Sequence, residues 1–214
     1  MCTPITIVVI MGLAVSGHAR TLPEGVAPDT SATSPISPVA VSKSDKLSCV
    51  LTAEPISQMY RIPTITVALT NQTGSDIYLV GSLDGSDSKW RYPHCYFDVI
   101  GPDGNPASGT WTLCPNVNPL EGRDFIRVPP GGAFDPYHGG AGYPFFTAHQ
   151  ISPYTFRVPG KYRIRFFYST ASEVMADWAW DGRQGLTEKF SLVPKVEVSS
   201  NEVVVEVAPP SEPR

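Results

Sequence analysis

Hydrophobic and polar residues alternate along much of this chain with a period of two, and turn residues interrupt the alternation every few positions. Residues 64–70 are the cleanest case. Ile65, Val67 and Leu69 fall on one side, and Thr64, Thr66 and Thr70 on the other. Successive strand side chains point to opposite faces, so this segment reads as a strand with one buried face. Leu47, Cys49 and Leu51 show the same phase upstream. Asn71-Gln72-Thr73-Gly74-Ser75-Asp76 is turn chemistry, and residues 77–80 form the strand after it.

A polar loop spans residues 81–93. Residues 95–100 and 109–114 then read as a hairpin around Gly101-Pro102-Asp103-Gly104. If Ile100 faces Gly109, the same register sets Cys95 opposite Cys114. Opposed strand residues have Cα atoms about 4.5–5.5 Å apart, close enough for a disulfide. Strand 124–128 ends at Pro129-Pro130-Gly131-Gly132, and a long loop rich in Gly and aromatics covers 134–153. Strands 161–168 and 202–207 follow, with 195–199 pairing locally. Many short strands, close turns and no run of period 3.6 predict an all-β fold, an antiparallel sandwich with long aromatic loops.

Composition supports this and divides the chain. With 22 prolines in 214 residues, long helices are disfavoured and turns and sheet edges are favoured. Ile5 to Val15 is apolar but too short to span a bilayer. Ser16-Gly17-His18-Ala19 follows, with small residues where a signal peptidase reads. Residues 1–19 are therefore expected to be a signal peptide, although no Lys or Arg precedes the apolar run. Residues 20–44, rich in Pro, Ser and Thr, form an expected flexible linker. Residues 45–208 form one domain, and 209–214 a disordered tail. The expected location is secreted or periplasmic. The net charge of −4 and the lack of a long basic run argue against a nucleic-acid partner. No later stretch suits a membrane span. Of the four cysteines, Cys2 would leave with the signal, Cys95 and Cys114 would pair, and Cys49 would remain a buried thiol.

Pro159-Gly160-Lys161-Tyr162-Arg163-Ile164 sets a Tyr just after a turn, at the start of an alternating strand. It resembles the tyrosine corner of immunoglobulin-like and fibronectin-type sandwiches, where the hydroxyl bonds to backbone a few residues upstream. Residues 64–71 and 200–207 resemble a second and a final strand of that family. In antibody domains a Cys stands two places after the corner Tyr; here Ile164 does, so the inter-sheet bridge of that type is absent. The chain is also similar to small bacterial secreted proteins that carry such a domain without assigned activity. The resemblance implies the fold and, since such folds mostly bind, a binding role.

The residues offer little chemistry. His94, His138 and His149 lack ligand-pair spacing, although His138 and His149 share a loop with Asp135. Asp84-Gly85-Ser86-Asp87-Ser88 groups hard oxygens without the order of a calcium loop. Glu121, Asp124, Asp135 and Asp177 are the carboxylates a glycosidase reading would draw on. No nucleophile elbow, phosphate loop or zinc helix motif occurs. Asn71-Gln72-Thr73 matches a glycosylation sequon. No catalytic residue, metal site or cofactor is assigned. The aromatics in loops carry more: Trp90 and Tyr92 in one, Tyr143 with Tyr137, Phe145 and Phe146 in another, and Trp178 with Trp180 in a third. Trp and Tyr combine large area with a polar tip. The expected function is non-enzymatic binding of a protein or cell-envelope glycan outside the cytoplasm, through Trp90, Tyr92, Tyr143, Trp178 and Trp180. The alternatives are a secreted glycan-acting hydrolase and a protease inhibitor.

Overall fold

The Ile65/Val67/Leu69 phase becomes the inner face of a central strand. In the computed structural model, which describes residues 44–84, 89–107, 116, 118–138, 151–178 and 185–210, strand β3 (Ile65–Asn71) buries those three side chains. It pairs antiparallel with β1 (Leu47–Ala53), setting Leu51 opposite Val67 and Cys49 opposite Leu69. The expected signal peptide and nearly all of the linker lie outside the described residues.

Three sheets form. The first layer sets β3 between β1 and the short β7 (Ala133–Phe134), and β4 (Ile77–Val80) pairs with β6 (Phe125–Val128) as a separate two-stranded sheet. Asn71 joins these two pieces. Its amide donates to the carbonyls of Ser75 (2.8 Å) and Val128 (3.0 Å) and accepts from the backbone N–H of Thr73 (2.9 Å). In the second layer the order is β2 (Ile56–Gln58), β10 (Val203–Ala208), β8 (Gly160–Ser169), β5 (His94–Ile100), with β9 (Glu197–Ser199) also on β8. All pairs are antiparallel except β2 with β10.

Local chemistry explains how the chain passes between layers. Pro55 lacks a backbone N–H, and at Glu54–Pro55 the chain leaves the first layer and continues as β2 on the edge of the second. The last strand breaks at Ser200–Glu202. There the Asn201 side chain imitates a peptide group, accepting from Leu51 N–H (2.9 Å) and donating to Leu51 C=O (3.0 Å). It ties the second layer to the edge of β1.

Tyr162, near the start of β8, bonds back to the turn before it. Tyr162 is buried, and its hydroxyl donates to Val158 C=O (2.9 Å) and accepts from Val158 N–H (3.3 Å). One apolar cluster takes the inner faces of both layers, including Leu51, Val67, Phe97, Ile164, Phe166 and Val205. A second cluster holds Val80, Leu120, Phe125, Trp178, Leu186, Phe190 and Val193. The segment between β8 and β9 supplies most of it, including the five-residue helix α1 (Thr187–Ser191).

Among the described residues the fold is therefore all-β apart from α1 and short 3-10 turns. The hairpin register is corrected. Ile100 bridges Pro106 rather than Gly109, and β5 takes β8 as its ladder partner, with Cys95 opposite Tyr168. Cys114 lies outside the described residues, and so does the expected disulfide. Cys49 is a buried thiol whose pKa desolvation pushes up to about 12.

Candidate functional site

The outer face of the second layer carries a cross-strand aromatic pair. In β5 the inward phase is Cys95, Phe97 and Val99, so Tyr96 and Asp98 point out. In β8 the outward phase is Lys161, Arg163, Arg165, Phe167 and Ser169. Tyr96 and Phe167 are cross-strand partners and stack at 4.6 Å with planes 9° apart. The Lys89 ammonium lies 5.5 Å from the Tyr96 ring centroid, a cation–π arrangement. Next to Lys89, Trp90 is 62% exposed, and Tyr96 is 41% exposed. Glu202 receives Arg165 at 3.0 Å and Arg163 at 3.8 Å, and Asp98 stands opposite Arg165. The face is thus aromatic and mixed in charge.

A buried polar network centres on Arg91, the residue after Trp90. The Arg91 guanidinium is almost wholly buried. It donates from Nη1 to Ser82 C=O (2.8 Å), from Nη2 to Ser82 Oγ (2.7 Å) and from Nε to Asn116 C=O (2.9 Å). Asp84, equally buried, accepts from Arg91 N–H (3.2 Å). Burial lowers the Arg91 pKa to about 10, with Asp84 opposing the shift. The side chain therefore stays charged at neutral pH. A buried cation with this many partners holds its backbone firmly, and Trp90 is the adjacent residue.

The other expected contact residues are placed differently. Trp178 is wholly buried, which removes it from any contact surface. Its ring stacks on Tyr92 (5.6 Å), meets Phe190 edge-on (5.2 Å), and donates Nε1–H to Ser172 C=O (3.0 Å). An indole that satisfies its polar tip can fill a core. Tyr92 is half-buried between His94 (4.1 Å) and Trp178 and bonds through its N–H to Asp177 C=O (2.9 Å). It belongs to the second core. Trp180 and Tyr143 lie outside the described residues. Of the expected contact aromatics that are described, Trp90 is the exposed one.

The carboxylates are tied up locally. Glu121 pairs with Arg123 (2.9 Å), Asp124 accepts from Glu121 N–H (2.7 Å), and Asp177 accepts from Ser172 Oγ (2.6 Å). Asp135 meets His138 Nδ1 at 2.8 Å and also caps the N–H groups of Tyr137 and His138; His149 lies outside the described residues. Desolvation is the main cause that depresses the His94 pKa. Among the described residues no group of three or more His, Cys, Asp or Glu could hold a metal ion, and no helix is long and apolar enough to cross a membrane. The sequon asparagine, Asn71, is buried and spends its amide on two carbonyls, so the folded domain does not offer it for glycosylation.

Sequence reasoning passed over Tyr96, Phe167, Tyr60 and Tyr154. A signal existed for the first: Tyr96 holds the polar phase of a strand whose other phase is apolar. No family model matches the chain, and neither does any curated protein or solved structure.

Proposed function

We propose that this chain is an exported, non-enzymatic binding domain with an immunoglobulin-like sandwich fold, which contacts a partner protein through the outer face of its second layer. The orders β5–β8–β10 and β1–β3–β7 support this reading, since strands C, F, G and A, B, E of such a domain lie side by side in that way. The hydroxyl of Tyr162 bonding back to Val158 supports the corner that this family has at strand F. The observation that carries the functional reading is the stacked Tyr96–Phe167 pair on the face that also bears Arg163 and Arg165, with Tyr96 and the loop residue Trp90 exposed. Trp, Tyr and Arg are the side chains that dominate binding energy at protein interfaces. The Arg91 network holds the backbone next to Trp90, which lowers the ordering cost of binding.

The test combines capture from a native cell-envelope extract with a binding titration against the captured partner. The double variant Trp90→Ala with Tyr96→Ala should lose binding by a factor of roughly 100 or more while keeping the wild-type melting temperature. Unchanged affinity would refute the reading. Export is tested separately: N-terminal sequencing of secreted protein should begin at Arg20.

A further inference from the structure

His94 opens β5 at the joint between the second layer and the second core. Its backbone bridges Asp84 in a short parallel pair. Asp84 N–H donates to Pro93 C=O (2.9 Å), and Cys95 N–H donates to Asp84 C=O (3.3 Å). The Asp84 carboxylate accepts in turn from Arg91 N–H (3.2 Å) and Asn116 N–H (3.4 Å). The Tyr92 ring packs on the His94 ring at 4.1 Å and on Trp178 at 5.6 Å. The residues that follow Trp90 are therefore held through contacts that meet at or beside His94.

The site suits a neutral ring. Nδ1 of His94 is buried and has no hydrogen-bond partner among the described residues. In the neutral ring this atom can be an idle lone pair. In the imidazolium it is a charged N–H that needs an acceptor, and a buried donor without one is costly. Burial opposes the charge most, and Lys89 adds to it. Asp84, the Arg91 backbone and Glu197 favour the charge, and the net effect lowers the His94 pKa from 6.5. The Tyr92 ring face also favours a cation. The other charged groups nearby are turned elsewhere. Glu197 accepts from Ser169 Oγ (3.1 Å), the Arg91 guanidinium serves Ser82 and Asn116, and Asp177 accepts from Ser172 Oγ. Lys195 lies over the Trp178 ring. On the inner side, burial raises the pKa of both Cys95 and Tyr168, so they keep their protons. With its folded value lowered, the ring's contribution to stability is fully present above about pH 6.5. It is lost as pH falls through the folded value.

We propose that His94 is an acid-operated latch on the contact face: in mild acid its ring takes up a proton, leaves Tyr92 for water and frees Trp90, so that the face is whole at neutral pH and comes apart in acid. What the latch controls rests on the protein-contact reading; the latch itself does not. Histidine is the side chain whose ordinary titration falls in this range. The bridge to Asp84 carries the movement. Once His94 shifts, Asp84 loses its seat on Pro93 and Cys95, and with it goes the carboxylate that holds Arg91 N–H beside Trp90.

The experiment is NMR of the 15N-labelled full chain, titrated from about pH 7.5 to about pH 5, above the usual carboxylate range. The His94 ring should titrate with a midpoint below about 6.5, and the Trp90 indole and Arg91 amide signals should move with the same midpoint. Hydrogen-exchange protection of the Arg91 and Cys95 amides should fall roughly tenfold or more across the range. His94→Phe keeps a ring on Tyr92 and cannot titrate, so Trp90 and Arg91 should then ignore the acid. Glu197→Gln alters an exposed residue and leaves the core intact. It removes a charge that favours the imidazolium, and should lower the His94 and Trp90 midpoints together. None of these readouts needs a partner, so they stand or fall apart from the protein-contact reading. A His94 midpoint at or above about 6.5, Trp90 and Arg91 signals that stay still while His94 titrates, or midpoints that separate in Glu197→Gln would overturn the proposal. So would an acid response kept by His94→Phe. A captured partner should bind roughly tenfold or more weakly in acid to the wild type and equally at both pH values to His94→Phe; binding to the wild type that ignores pH would remove the latch's control of the face.

Discussion

Replacing Trp178 by Ala tests whether the segment between β8 and β9 is a second core. The indole is wholly buried and touches Tyr92 and Phe190. Removing a buried Trp costs about 3–5 kcal/mol in transfer and cavity terms. The upper part of that range is expected because Ser172 C=O also loses its indole donor. In a domain of this size each kcal/mol moves the melting temperature by roughly 2–4 °C, so a fall of roughly 6–20 °C should follow in thermal denaturation monitored by circular dichroism. Trp178→Phe, which keeps the ring contacts and loses the N–H, should cost clearly less.

The same substitution has a titration signature. The Lys195 ammonium lies 5.0 Å from the Trp178 ring and 3.7 Å from the Phe190 ring and donates to the carbonyls of Phe190 and Val193. Desolvation lowers its pKa to about 8, against a smaller opposing effect of Glu173. Opening the cage should return the amine toward its usual value, measured by 15N-detected titration of the Lys195 side chain. A melting shift below about 2 °C, with Lys195 unmoved, would refute the second core.

Three further outcomes are expected. Tyr162→Phe should cost about 0.5–1.5 kcal/mol, the net worth of a hydrogen bond, read from urea midpoints; an unchanged midpoint would mean the Val158 contact is idle. Gly160→Ala should destabilise measurably by thermal melting, because φ is +131° and a Cβ would stand 2.8 Å from Pro102; wild-type stability would show that this corner relaxes freely. Burial raises the Cys49 thiol from 9.0 to about 12, so the folded state keeps a proton that the unfolded state releases. Its contribution is fully present below about pH 9 and is lost as pH rises toward about 12. Lys195 acts in the opposite sense between about 8 and 10.5. Urea midpoints at pH 8 and 10.5 should therefore show a smaller alkaline loss in Cys49→Ala than in wild type, and an equal loss would contradict the burial argument.

Some of this architecture is written in local pattern. The strands around Leu51, Val67, Phe97 and Ile164 were legible because one face of each is buried, and burial on one face imposes a period of two. The Tyr162–Val158 contact was legible because Gly160 and Tyr162 hold fixed places around one turn. The candidate site was legible only at Trp90, which stands in a loop. Tyr96 and Phe167 read as strand residues until the pairing sets them side by side on the outer face.

What the sequence determined by itself is the strand phase, the turns and the all-β class, because these depend on neighbours a few residues apart. Only the tertiary structure decided the rest. The β5 register came from pairing with β8, more than sixty residues away, and no short-range signal encodes such a partner. Trp178 became core because Leu186, Phe190 of α1 and Val193 pack with it against Val80 of β4 and Phe125 of β6, where the same composition would equally have suited an exposed loop. Tyr60 and Tyr154 came together across nearly a hundred residues, since the backbone of Tyr60 bonds to that of Phe156. Local periodicity sets which side of a strand faces inward, whereas long-range hydrogen bonding and core filling set which residues meet.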